Sequence, residues 1–267
     1  MPGEAIADAD DPRLALYRNV SDGDRLRTDG VFVAEGRLVV RRLLTSSHFR
    51  AQSVLVTDTA YAALEDVLRT TPTPVYVVPS TLLNDLTGFN VHRGCLALGE
   101  RGAARHWSQL APHARRIVML ERVADADNVG SIFRNAAAFG VDAVLLDPVS
   151  TDPLYRKAIR TSMGSALSLP FARLDPWPDT LRMLRQHGVV VIGLAPSASE
   201  TVRDVRAMRS GIEQPLALLV GHEGEGLSQA ALDQCDAVAR IPMSAAVDSL
   251  NVATAVAIAL YEVSEKR

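Results

Sequence analysis

Cysteine and lysine are the scarce residues of this chain. It holds two cysteines in 267 residues, Cys95 and Cys235, and neither belongs to a CxxC or HxxC pair. That excludes a disulfide framework and the usual thiolate zinc sites, and it predicts a reduced protein without a bound metal. Of 28 basic residues only Lys157 and Lys266 are lysines. Arginine's planar fork suits phosphate oxygens and stacks on bases, although GC-rich coding produces the same bias. No apolar run approaches the ~20 residues that a membrane span needs. Residues 1–10 lack the basic and apolar segments of a signal peptide, so a cytoplasmic protein is expected. The net charge of −3 argues against a general nucleic-acid coat and leaves room for a local basic patch.

With 48% hydrophobic residues the chain can bury a substantial core. Residues 1–100 read as a small α/β unit. A helix start is expected at Asp11–Asn19, strands at Gly30–Glu35, Ser53–Thr57, Val75–Val78 and Cys95–Leu98, and helices at Gly36–Leu44, Ala60–Arg69 and Thr81–Thr87. Residues 101–116 differ in composition, with Arg101, Arg105, Arg115, Arg116, two histidines and Trp107 and no acid. They read as a linker, either a solvated connector or a strap of cations and one aromatic that touches RNA.

From residue 117 to 267 the pattern is doubly wound. Apolar strands are expected at Ile117–Leu120, Ala143–Leu146, Val189–Leu194, Leu216–Val220 and Ala237–Ile241. Helices fit Gly130–Phe139, Pro153–Thr161, Thr180–His187, Gln229–Gln234 and Asn251–Val263. Continuous apolar strands belong to a mostly parallel sheet covered on both faces, whose ligands lie beyond the strands' carboxyl ends.

Three polar segments occupy those ends. In the first, Asn128 can cap a helix and Arg134 follows nearly two turns later; the plain alternative is a cap and a surface arginine. The second, Gly221-His222-Glu223-Gly224-Glu225-Gly226, is a glycine-rich turn with two carboxylates. It lacks the lysine of a phosphate loop, and its glycine spacing is not the dinucleotide fingerprint. A positively charged ligand fits it better than a pyrophosphate, unless it is only a strand–helix turn. The third runs from Ile241 to Ala255, with Ser249 as a candidate cap and Asn251 in the first turn of an alanine-rich helix.

In order and spacing, Asn128–Asn135, Gly221–Ser228 and Ser249–Val252 together resemble the three signature blocks of the SPOUT superfamily, specifically the SpoU/TrmH-type RNA ribose 2′-O-methyltransferases. Lys157–Ser165 is similar to the family's basic helix between the first two blocks. Phe32-Val33-Ala34-Glu35-Gly36 is similar to a ribosomal-protein-like substrate-binding domain. The resemblance implies a C-terminal trefoil-knotted α/β domain with a mostly parallel sheet, and a homodimer with active sites at the subunit interface. It implies S-adenosylmethionine bound around Gly221, Ile241, Met243 and Leu250, with Leu219 and Gly226 beside them. It implies Asn128, Arg134, Glu223, Ser249 and Asn251 as the catalytic set. Many relatives carry asparagine where His222 stands.

On that reading the substrate is a structured RNA, ribosomal RNA before transfer RNA, held by Arg101, Arg105, Arg115, Arg116, Arg156, Lys157 and Arg160 and by the first domain. A ribosome-protecting resistance enzyme is a variant of it. Two readings of other classes compete: a nucleotide-dependent α/β enzyme using Gly221–Gly226 as a phosphate loop, and a catalytically silent RNA-binding protein.

Overall fold

The computed structural model describes residues 3–18, 20, 23–208, 214–244 and 246–264. Asn19 and Ala245, which fall in the expected first helix and third segment, lie outside them. The chain divides into two compact units, one of residues 1–103 with 153–168, the other of 104–152 with 169–267.

The first unit carries β1 (Glu4–Ala5), α1 (Gly23–Thr28), β2 (Val31–Glu35), α2 (Arg37–Leu44), β3 (Arg50–Val56), α3 (Asp58–Leu68), β4 (Val75–Val77), α4 (Ser80–Thr87) and β5 (Cys95–Glu100). Pro12–Tyr17, expected to open a helix, forms a 3-10 turn capped by Asp11. The strands form one mixed sheet in the order β1-β4-β3-β5-β2, with β5 antiparallel to both neighbours. Leu14, Tyr17, Val33, Leu55 and Leu96 are among its core residues. The buried Tyr17 hydroxyl is satisfied by Ser53 Oγ at 2.7 Å, as a buried polar group requires.

In the second unit β6 (Arg116–Leu120), α5 (Ala126–Ala138) and β7 (Ala143–Leu146) come first. The chain then forms α6 (Arg156–Thr161), which groups with the first unit, before returning through β8 (Phe171–Arg173). It continues through α7 (Asp179–Gln186), β9 (Val190–Leu194), β10 (Glu200–Thr201), α8 (Val202–Met208), β11 (Leu216–Val220), α9 (Gln229–Leu232), β12 (Ala237–Arg240) and α10 (Val252–Val263). Seven strands pair in the order β10-β12-β9-β11-β6-β7-β8, and every pairing is parallel. The near-continuous burial of β6, β7, β9 and β11 follows from helices on both faces.

Chain order reverses at the centre of this sheet. The path runs outward through β6, β7 and β8, then resumes at β9 on the other side, and β11 later inserts between β9 and β6. Ligands of open α/β sheets sit in the crevice at such a switch point. The segments leaving β6, β9, β11 and β12 at their carboxyl ends therefore share one region.

Three local expectations are corrected. Residues 104–116 are no free connector: they make two 3-10 turns and a bridge from His106 to Arg173, and Trp107 is buried in the core beside Met119, Leu145 and Leu219. An indole spent on that burial is not offered to RNA. Pro153–Thr161 shortens to α6, and residues 153–168, placed by the sequence in the domain 117–267, pack with the first unit through buried Ala158 and Ile159. β8, β10 and α8, too short or too polar to show periodicity, were not anticipated.

Candidate active site

Asp125 caps α5, its carboxylate accepting from the Asp127 amide at 2.9 Å, so the helix starts a turn before the expected Gly130. Asn128 is thereby moved from the expected cap into the first turn, and its amide is free for other work. Its Nδ2 donates to Glu223 Oε1 at 2.7 Å, and its Oδ1 accepts from Asn251 Nδ2 at 2.8 Å. A side-chain amide that gives one bond and takes another has its orientation fixed. Asn251, not Ser249, caps α10, accepting from the amides of Ala253 and Thr254 at 2.9 and 3.2 Å. One residue from each signature segment thus joins a single hydrogen-bonded chain.

The middle segment is shaped by its glycines. The Gly226 amide bonds the His222 carbonyl at 2.9 Å, and Gly226 sits at φ +69°. A Cβ on Gly221 would stand 2.4 Å from the Gly226 carbonyl carbon and oxygen. Glycine at 221 is required by the loop's own return, a more local reason than ligand approach. Arg122, itself at φ +55°, reaches across from the end of β6 to Glu225 Oε2 at 2.6 Å and to the Gly226 carbonyl at 3.4 Å. Behind the loop, the buried Glu121 carboxylate accepts from Trp177 Nε1 at 2.9 Å and from the Ser228 amide and hydroxyl at 2.8 and 2.6 Å. That carboxylate ties the start of α9 to β6.

These loops wall a pocket of about 310 Å³, a size suited to a small-molecule site. Gly221, Glu223, Gly226, Ile241, Met243, Ser249 and Leu250, all among the candidate site residues, line it. Leu219 does not: its side chain lies in the core, and Val220, pointing the other way along the strand, takes the wall position. Arg134 is exposed and absent from the wall. It lies six residues along α5 from Asn128, about 9 Å at the helical rise, and has no ion-pair partner among the described residues.

Other wall residues were not among the candidates. Leu194 ends β9, and Ala195 and Pro196 follow it; the carboxyl-end rule, applied to β11's neighbour, would have found them. Asp248 lay inside the third segment, and Arg240 ends β12. The pocket therefore carries Glu223, Glu225 and Asp248 against Arg240, with Arg122 paired to Glu225 at its margin. Leu194, Val220, Ile241 and Met243 supply apolar surface. This chemistry suits an organic cation with an apolar body and repels phosphate.

The cations assigned to RNA divide between the units. Arg101, Arg156, Lys157 and Arg160 belong to the first, Arg105, Arg115 and Arg116 to the second. Lys157, Arg160, Arg105 and Arg115 are exposed. Arg156 is engaged within its own unit, over the Phe89 ring at 4.0 Å and 3.5 Å from the buried Glu35 carboxylate. Arg116 is half-buried, with Nη1 3.4 Å from Ser264 Oγ. Among the described residues no cluster of His, Cys, Asp and Glu could hold a metal ion, and no helix is long and apolar enough to cross a membrane.

Known proteins are similar to this chain in sequence and in fold. The SpoU rRNA methylase family matches residues 115–261. An uncharacterised tRNA/rRNA methyltransferase of Mycobacterium bovis is 41% identical over 96% of this chain and 90% of its own length. The 23S rRNA (guanosine-2′-O-)-methyltransferase RlmB of Photorhabdus laumondii is 31% identical over 69% of this chain and 76% of its own. Among solved structures, an AdoMet-bound rRNA methyltransferase from Sinorhizobium meliloti superimposes with a TM-score of 0.80 at 26% identity, covering 97% of both chains. With sequence and fold in agreement, the chain belongs to the SpoU rRNA methylase family of RNA methyltransferases.

Proposed function

We propose that this protein transfers the methyl group of S-adenosylmethionine to a ribose 2′-hydroxyl of a structured RNA, ribosomal RNA before transfer RNA. The observation that carries the proposal is the chain Asn251–Asn128–Glu223 beside a carboxylate-bearing pocket of about 310 Å³. The 23S rRNA ribose methyltransferase among the relatives and the AdoMet-bound structure among the neighbours support substrate and cofactor class.

The wall fits that cofactor. The 221–226 and 241–250 segments would hold it, the carboxylates of Glu223 and Asp248 facing its cationic groups and Ile241 and Met243 its apolar surface. When bound, S-adenosylmethionine would supply a methyl carbon open to in-line attack by the ribose oxygen, a C–O bond forming as the C–S bond breaks and the sulfur leaves as a neutral thioether. The protein's own contribution is alignment and charge, and alignment alone is worth several powers of ten in rate. Arg134 offers a planar cationic fork of N–H donors and no acceptor. It therefore acts as a donor to the ribose oxygen and a neighbouring phosphate, stabilising the oxygen as its proton leaves to an RNA phosphate oxygen and then to water. Glu223 orients Asn128, and Asn128, Ser249 and Asn251 position the ribose.

The same reading includes a homodimer with its sites at the subunit interface, a trefoil knot formed by the C-terminal segment, and a cytoplasmic location. Arg134 supports the dimer, being exposed, unpaired among the described residues and off its own pocket wall. So does Tyr261, 68% exposed on α10 beside Phe139. Isothermal titration with S-adenosylmethionine, ATP and NAD tests the assignment. Binding of S-adenosylmethionine alone is expected, and binding of ATP or NAD in its place would refute it.

A further inference from the structure

His222 occupies the corner of the pocket wall that sets the shape of the 221–226 loop. Its Nδ1 accepts from two backbone amides, Gly224 at 3.0 Å and Glu225 at 3.1 Å, while its carbonyl takes the Gly226 amide at 2.9 Å. One residue thus gathers three of the loop's four following amides. A ring nitrogen that accepts carries no proton, so a neutral ring must hold its hydrogen on Nε2. Protonation at Nδ1 would set an N–H against two other N–H groups and release the loop. The next residue is Glu223, whose carboxylate takes the Asn128 bond, and Glu225 carries the ion pair to Arg122. Opening the loop would disturb both.

We propose that His222 is a positioning residue of the methyl-transfer site: its neutral ring, protonated on Nε2, staples the 221–226 loop so that Glu223 meets Asn128, and a proton on Nδ1 undoes the staple. The inference rests on the function proposed above. The charged groups sharing this corner are Glu223 and Glu225 on the loop, Arg122 at the end of β6, Arg240 at the end of β12, and Asp248 in the segment before α10. Asparagine is the informative replacement. Its Oδ1 can accept from amides two and three residues on, as in an Asx turn, and it does not titrate. Alanine offers no acceptor.

The test compares wild type, His222→Asn and His222→Ala in two measurements. The first is titration with S-adenosylmethionine at about pH 8, where an unperturbed imidazole is neutral. The second, made on the free protein, is the imidazole nitrogen spectrum together with hydrogen exchange at Gly224 and Glu225. His222→Ala is expected to weaken binding on the order of tenfold, the scale of two neutral hydrogen bonds. It should also lose protection at both amides. His222→Asn should remain within about twofold of wild type, an acceptor being retained.

Wild-type affinity in His222→Ala would overturn the proposal. So would a defect in His222→Asn as large as that of His222→Ala, or a free protein at pH ~8 with its proton on Nδ1. If no variant binds S-adenosylmethionine but the spectrum and exchange behave as described, the methyl-transfer reading falls and the loop staple stands.

Discussion

Asn128 and Glu223, 95 positions apart in sequence, are joined by a 2.7 Å hydrogen bond from Nδ2 to Oε1. The bond closes the first signature segment onto the second, and Asn251 completes it from the third. Asn128→Asp would set a carboxylate against Glu223 and remove the donor. Misplacing an aligned group by about 1 Å can cost about 10²-fold in rate, and a fall of that order in kcat is expected. Single-turnover methyl transfer measures it, and Glu223→Gln should be milder because its amide oxygen can still accept.

Arg134 stands apart from the pocket wall, so its role is separable from cofactor binding. Arg134→Ala should abolish methyl transfer, with S-adenosylmethionine affinity within about twofold of wild type because no wall contact is lost. Arg134→Lys keeps the charge and loses the fork, and should recover only part of the rate. Transfer assays beside calorimetry separate the two effects.

Gly221→Ala should fail for a steric reason that has nothing to do with ligand. The added methyl would meet the Gly226 backbone at 2.4 Å. Overpacking of this kind costs typically about 1–3 kcal/mol. A lower Tm and weaker cofactor binding should appear together. Gly224→Ala, whose Cβ would stand 3.5 Å from the His222 ring, should change Tm far less.

Glu35 and Arg156 form a long-range pair within the first unit. The carboxylate is buried, takes the His92 amide at 2.9 Å and keeps Oε2 for the arginine. That pair is close without a well-aligned hydrogen bond, since neither Oε2 nor Nη1 finds a hydrogen-bond partner. Breaking a buried pair from one side costs about 3–5 kcal/mol; with Arg156 partly exposed, the lower end is expected for Arg156→Ala. Denaturant unfolding should show the loss, and the double variant Glu35→Leu/Arg156→Leu should be less destabilised than Arg156→Ala.

Neither cysteine is reactive. Burial pushes the Cys95 thiol up to about 12. Burial, then the neighbouring Asp236 carboxylate, raises Cys235 to about 11. Thiolate is the reacting species, so both should resist iodoacetamide at pH ~8 until the protein is unfolded. Fast labelling of the native protein, followed by mass spectrometry, would contradict this.

What the sequence showed well was whatever depends on short range. The strands Ala143–Leu146 and Leu216–Val220 were read with their observed bounds, and nine of the pocket and hydrogen-bonding residues were named, from Asn128 to Asn251. The failures come from competition or distance. Asp125 and Asn251 displaced the expected caps Asn128 and Ser249, a choice among adjacent capping residues that sequence leaves open. Trp107 sat in a basic, acid-free stretch, and only the core beneath it shows that the indole is structural. α6 groups with the first unit, where its Arg156 meets Glu35, over a hundred positions away in sequence. Arg122 escaped notice because its function lies in a reach across strands to Glu225.

The most direct test is the fate of label from tritiated S-adenosylmethionine after incubation with RNA from cells lacking this protein. A 2′-O-methyl ribose has no free hydroxyl to attack the adjacent phosphate, so labelled product should survive alkaline hydrolysis as resistant dinucleotides. Label released in alkali as single nucleotides, marking a methylated base, would contradict the account, as would no incorporation into any RNA fraction.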